Sequence, residues 1–160
     1  MSPNSTAIAL PRKMREVLNS ALDSTRWNGF EFRNDDIVIG TWPKSGTTLT
    51  QQIVAQLVFN AEPDAFGQEI SPWLDFRSVP TEQVLAMAKG QRHRRFMKTH
   101  LPIDALVFSP KAKYIFVGRD ARDVFWSWHH HHSISTEAAY QLANPPDRTW
   151  PEFPRADRHP

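Results

Sequence analysis

The stretch TWPKSGTTLT, Thr41 to Thr50, crowds a cation, a glycine and several hydroxyls into a few residues. Lys44, Ser45, Gly46, Thr47 and Thr48 offer an ammonium group, three hydroxyls and a backbone that can approach a ligand closely. Pro43 fixes φ ahead of the lysine and stiffens the approach. Where a helix begins just after such a turn, its free first-turn N–H groups and its dipole favour a bound anion. The order differs from the G-x-x-x-x-G-K-[ST] nucleotide loop, because Lys44 precedes Gly46, position 39 is Ile and Thr47 stands where the lysine would fall. A plain Gly-Ser-Thr turn with a solvated lysine is the competing reading. A strand before the turn and a helix after it favour the anion site.

KTHLP sets His100 two residues after Lys98. A histidine there can take a proton from an acceptor hydroxyl, since its ordinary pKa is about 6.5; a structural histidine at a strand end is the alternative. GRDARDVFWSW supplies Arg119, a forked donor suited to phosphate, and Ser127 two helical turns into the next helix. Against that stand a surface ion pair of Arg119 with Asp123 and an ordinary helix hydroxyl at Ser127. The run of histidines at 129–132 raises metal binding. Neighbours on a helix point in different directions, so at most His129 with His132 or the next turn share one ion, and no metal is expected.

These residues need elements to hold them. DIVIGT (36–41) reads as a buried parallel strand. Leu49, Ile53, Val54, Leu57 and Val58 follow at helical spacing. Residues 94–102 read as a second strand running into a loop, and 112–119 as a third. A helix follows, capped by Asp120, with Ala121, Val124, Phe125 and Trp128 as its buried stripe. Residues 10–22 read as an additional one-faced helix, and 81–90 as a short helix capped by Thr81 and ended at Gly90. Between them, 61–80 is irregular, with Phe66, Trp73, Leu74 and Phe76 packed on the body or lining a pocket. Strands alternating with helices give an α/β class: a P-loop-like three-layer sandwich around a mainly parallel sheet. Parallel strands deliver residues at their carboxyl ends, so the loop, His100 and Arg119 are expected at one crevice.

The 160 residues suit a single domain, 1–160, ending in a Pro-rich irregular tail at 145–160. A net charge of +2 is too small for a nucleic-acid surface and fits a small anionic ligand held by a few cations. The absence of cysteine removes disulfides, a thiol nucleophile and thiolate metal sites. AIAL is too short for a signal-peptide core, no apolar run reaches membrane-spanning length, and a cytoplasmic protein is expected.

TWPKSGTT, KTHLP and KYIFVGRDARDVFWSW, in that order, resemble the cytosolic-type sulfotransferases over roughly residues 26 to 132. The resemblance implies 3′-phosphoadenosine-5′-phosphosulfate (PAPS) as sulfuryl donor, a small and apolar hydroxyl or amine acceptor, and a homodimer as one possible state. It implies that the loop 43–48 holds the 5′-phosphosulfate, with Lys44 on the oxygen bridging to sulfur. Arg119 and Ser127 would bind the 3′-phosphate, His100 would be the base, and Lys98 would steady the sulfuryl group in transit. Pro72, Trp73, Leu74 and Phe76 would help line the acceptor pocket, with the histidine run at its entrance. Leu49 stands where the family usually carries an aromatic, and its later Arg-Lys-Gly segment has no counterpart before Pro160. The chain is therefore expected to be the N-terminal part of a longer protein. A non-catalytic nucleotide-binding fragment and a variant P-loop kinase or phosphohydrolase are the other readings.

Overall fold

The computed structural model describes residues 9–155; the AIAL stretch and the Pro-rich tail lie partly outside them. Its centre is a three-stranded, wholly parallel sheet of β1 (Asp36–Thr41), β2 (Phe96–Thr99) and β3 (Ala112–Val117), in the order β2-β1-β3. Every residue of β1 is buried. That is the condition of a central parallel strand covered on both faces, and it explains the unbroken β-branched run rather than an alternating one.

The pleat of β1 divides the core. Ile37 and Ile39, with Phe96, pack against Val54 and Ala55 of α1 (Thr47–Val58) on one face. Val38 and Met97 face the other way, toward Trp27, Leu74, Leu101, Leu106 and Ala88, the last on α3 (Thr81–Gly90). A short α2 (Gly67–Ile70) lies on α1. A β-carbon at Gly67 would fall 2.2 Å from the Gln51 carbonyl oxygen, so the two backbones meet only because this residue is glycine. After β3 come α4 (Ala121–Ser133) and α5 (Glu137–Ala143). Asp120 caps α4 by accepting from the Arg122 N–H at 2.9 Å. The expected α/β sandwich with a parallel sheet is the architecture observed.

Four local expectations are corrected. Residues 10–22 form no helix. Asn19 Oδ1 accepts from the N–H groups of Ala21 and Leu22, a local turn that competes with helical bonding. The segment instead crosses the body, with Met14 and Arg15 N–H groups donating to the Asp104 carbonyl and Leu22 bridging to Phe76. Its residues Met14 and Leu18 stay exposed, having no layer to cover them. On α1 the helix is present, but it is rotated from the expected stripe. Thr47, Gln51, Val54 and Ala55 face inward, whereas Leu49, Ile53 and Leu57 face outward. Gln52 explains part of the rotation, because its amide accepts from Gly67 N–H and donates to the Ala65 carbonyl, each at 3.0 Å. On α4 only Val124 of the expected stripe is buried, and Phe125 is exposed. Thr81 is the first residue of α3 rather than its cap, since Pro80 occupies the cap position.

Candidate functional site

The loop between β1 and α1 is built from unusual backbone. Gly46, at the cap position just before α1, has φ of 105°, and Lys44 has φ of 66°. A left-handed lysine is uncommon and costs of order 1–3 kcal/mol, so the surroundings must hold it. They do so in part through the Ser45 N–H, which donates to the Trp42 carbonyl at 3.1 Å. No side chain caps α1. Its first-turn N–H groups therefore remain available as donors for an anion. Ser45 Oγ, buried and without a hydrogen-bond partner, adds an unsatisfied hydroxyl at the same turn.

His100 is tied to this loop through Thr41. Its Nδ1 lies 2.7 Å from the Thr41 carbonyl oxygen and so donates there, which leaves Nε2 as the unprotonated nitrogen of the neutral ring. The Thr41 hydroxyl lies 2.5 Å from that of Thr47, at the head of α1. A chain of polar contacts thus runs from the histidine ring to the anion-receptive turn. Trp73 meets the His100 ring edge to face, 4.7 Å between centroids. The same indole carries the Lys98 ammonium over its face at 4.9 Å. Burial pushes the Lys98 pKa down, opposed by the nearby charge of Asp75.

Arg119 closes the other side. Its guanidinium donates to the Lys44 carbonyl at 3.3 Å and approaches Asp123 at 3.6 Å, so the surface ion pair weighed from the sequence is present alongside the loop contact. A cavity of about 610 Å³ lies between the loop and α4, lined by Trp42, Pro43, Ser45, Arg119, Phe125 and Trp128 among others. Ser127 is half-buried on α4 and makes no hydrogen bond to Arg119 or the loop among the described residues. Thr48 is exposed beside Thr47. A second cavity of about 200 Å³ is lined by Trp73, Phe76, Met87 and Lys98 and by the polar Glu69 and Ser71, among others. Asp75 escaped the sequence reading; a lone acid in the aromatic-rich SPWLDF stretch was its only signal.

Burial lowers the pKa of His100, His131 and His132 below the ordinary histidine value. The charge of Lys44 adds to the effect at both His131 and His132, and His131 adds to it at His132. Unfolded histidines take up protons near pH 6.5 while these folded ones resist, so stability is complete above that pH and declines as pH falls through it. Carboxylates held low, such as Glu16 at about 2, add their loss only in stronger acid. The melting temperature is therefore expected to fall between roughly pH 7.5 and 5.5, and His100→Gln should flatten part of that slope in a calorimetric pH series. A flat wild-type profile over this range would contradict it.

Fold and site together define a class: an α/β domain of the P-loop type, with an anion-receptive strand–loop–helix at the carboxyl edge of a parallel sheet. The sulfotransferase domain family model matches residues 34–155, and the chain belongs to that family. A glycolipid sulfotransferase of Mycobacterium tuberculosis is 46% identical over 116 residues, 71% of this chain and 35% of that protein. Human sulfotransferase 1C2 is 29% identical over 154 residues, 88% of this chain and 50% of that protein. The chain thus spans about a third to a half of the length of these curated relatives. Among solved structures, retinol dehydratase in a complex with retinol and PAP shares the fold, with a TM-score of 0.55 and 20% identity over 68% of this chain and 43% of that one. Among the described residues no helix is long and apolar enough to cross a membrane, and no three His, Asp or Glu side chains gather closely enough to hold a metal ion.

Proposed function

We propose that this chain carries the donor-binding and acid–base part of a sulfotransferase that moves a sulfuryl group from PAPS to a hydroxyl or amine of a small, apolar acceptor. The observation that supports it most is the joining of three strand ends: Arg119 bonds to the Lys44 carbonyl, while His100 bonds to Thr41 and through it reaches Thr47. The residues fit the donor, because an uncapped helix start and a buried, unpartnered Ser45 hydroxyl both suit phosphate oxygens. When bound, PAPS supplies the sulfuryl group and a leaving oxygen on which charge builds.

The chain's own residues would divide the work. Pro43, Ser45, Gly46, Thr47 and Thr48, with the first-turn N–H groups, hold the 5′-phosphosulfate. Lys44 faces the bridging oxygen with fixed positive charge. Arg119 and Ser127 hold the 3′-phosphate, and Lys98 steadies the sulfuryl oxygens. His100 Nε2 accepts the acceptor's proton. Lys44, Lys98 and Arg119 supply the positive charge, so the reading calls for no metal. The cavity beside Lys98 has an apolar wall of Trp73, Phe76, Val79 and Met87, which supports an acceptor with an apolar part, and a polar side of Gln68, Glu69 and Ser71. A cytoplasmic location and a homodimer belong to the same proposal, the latter read by sedimentation velocity.

Titration with 3′-phosphoadenosine-5′-phosphate (PAP), against the same nucleotide lacking the 3′-phosphate, tests it. A clear preference for PAP is expected, and equal affinity would sink the donor assignment. PAP binding without transfer from PAPS to phenols, alcohols or amines would reduce the chain to a binding fragment. Magnesium-dependent nucleotide turnover would move it to the kinases.

A further inference from the structure

Asp75 is completely buried, yet none of the roles above uses it. Its Oδ1 accepts from the Trp27 indole N–H at 3.0 Å. Its Oδ2 accepts from the Trp73 indole N–H at 2.9 Å and from the His100 backbone N–H at 3.3 Å. A buried carboxylate is costly unless its oxygens are satisfied, and here three donors from three separate parts of the chain satisfy them. Trp27 is an anchor of the core, Trp73 walls the cavity beside Lys98, and His100 carries the free ring nitrogen.

We infer that Asp75 is a positioning residue for the proton-accepting site, fixing the Trp73 ring and the His100 main chain relative to each other and to the core. The inference rests on the reading of His100 as base. With its main chain bonded to Asp75 and its Nδ1 to Thr41, the histidine is held at both ends, and Nε2 is left as the reactive position. The clamp on Trp73 sets the edge that meets His100 and the face that carries Lys98. A neutral amide cannot replace it. Asparagine offers one oxygen and one NH₂, so one side of the clamp would set donor against donor. The charges around His100 are Lys98 on β2, which His100 directly follows, and Asp75 on the adjoining segment, with uncharged Thr41 on β1. Burial and Lys98 disfavour protonation of the ring, while Thr41 and Asp75 favour it.

The test uses Hε1 signals of carbon-labelled histidines, with His100 assigned from its loss in His100→Gln. In Asp75→Asn the His100 titration midpoint is expected to fall by about half a unit to one unit, because an adjacent anion is lost. Exchange of the Trp73 indole proton should accelerate at least about tenfold, as for any opened buried hydrogen bond. Asp75→Glu retains the carboxylate and should move the midpoint back toward wild type. An unmoved midpoint in folded Asp75→Asn would overturn the role. A Trp73 indole proton in the wild type that exchanges as fast as free tryptophan would overturn it too, and that measurement needs no variant to fold. Neither readout requires ligand, so failure to bind PAP would sink the donor reading and leave Asp75's role to be judged separately.

Discussion

Arg119→Ala is expected to weaken PAP binding about ten- to a hundredfold, the range of a lost hydrogen-bonded charge contact of roughly 1.5–3 kcal/mol. The loss should be confined to the 3′-phosphorylated ligand. Affinity for the nucleotide without that phosphate should change little, because the 5′ end is assigned to Lys44 and the start of α1. Arg119→Lys should recover only part of the loss, since an ammonium keeps the charge without the planar fork. The guanidinium is partly exposed and is already shared between Asp123 and the Lys44 carbonyl, so the wild-type contact should weaken with added salt. Calorimetric titration of the wild type and the two variants with each of the two nucleotides reads the result. Equal losses for both ligands would mean that Arg119 supports the loop instead of reading the 3′-phosphate.

Arg95→Met is expected to destabilise the fold by about 3–5 kcal/mol, the cost of leaving one partner of a buried ion pair alone. Arg95 and Asp36 are both buried, and Nε donates to Asp36 Oδ1 at 2.8 Å while Nη2 reaches Oδ2. Nη2 also donates to the Glu31 carbonyl at 2.7 Å, and the guanidinium lies over Phe30 at 4.8 Å. In the variant Asp36 would retain the Arg33 N–H as a donor. Asp36 opens β1, whose far end launches the loop, so the pair also secures the strand from which the site hangs. Urea unfolding should show the shift in midpoint. Pairing Arg95→Met with Asp36→Asn should cost less than the two single changes together, because the charge left buried is then removed. A loss below about 1 kcal/mol for Arg95→Met would show that water or a neighbour takes the guanidinium's place.

The elements of the candidate site were legible because they are local. The β-branched run 36–41, the Pro-Lys-Ser-Gly turn and the helical spacing after it specify strand, loop and helix over a short span. Parallel strands then bring Lys44, His100 and Arg119 to one edge as a consequence of sheet geometry. The same local reasoning failed where two local preferences compete. Leu10, Met14, Leu18 and Leu22 have helical spacing, but Asn19 bonds the backbone of Ala21 and Leu22, and the Met14 and Arg15 N–H groups go to the Asp104 carbonyl. The stripes of α1 and α4 failed for a different reason. Periodicity reports that a helix has an apolar face, while the elements packed nearby decide which face is covered. On α1 the Gly67 contact and the Gln52 bonds turned Thr47 and Gln51 inward and left Leu49, Ile53 and Leu57 outside.

By itself the sequence determined the α/β class, the strand–loop–helix around Lys44 and the residue types proposed to meet a donor phosphate and a base, since each depends on short-range spacing and side-chain chemistry. Only the tertiary structure decided which distant groups would act on those residues. Asp75 reaches Trp27 across 48 positions and His100 across 25, and Thr41 reaches His100 across 59. A buried acid and an unremarkable threonine gain their importance from neighbours that packing supplies. No periodicity or motif along the chain encodes that proximity.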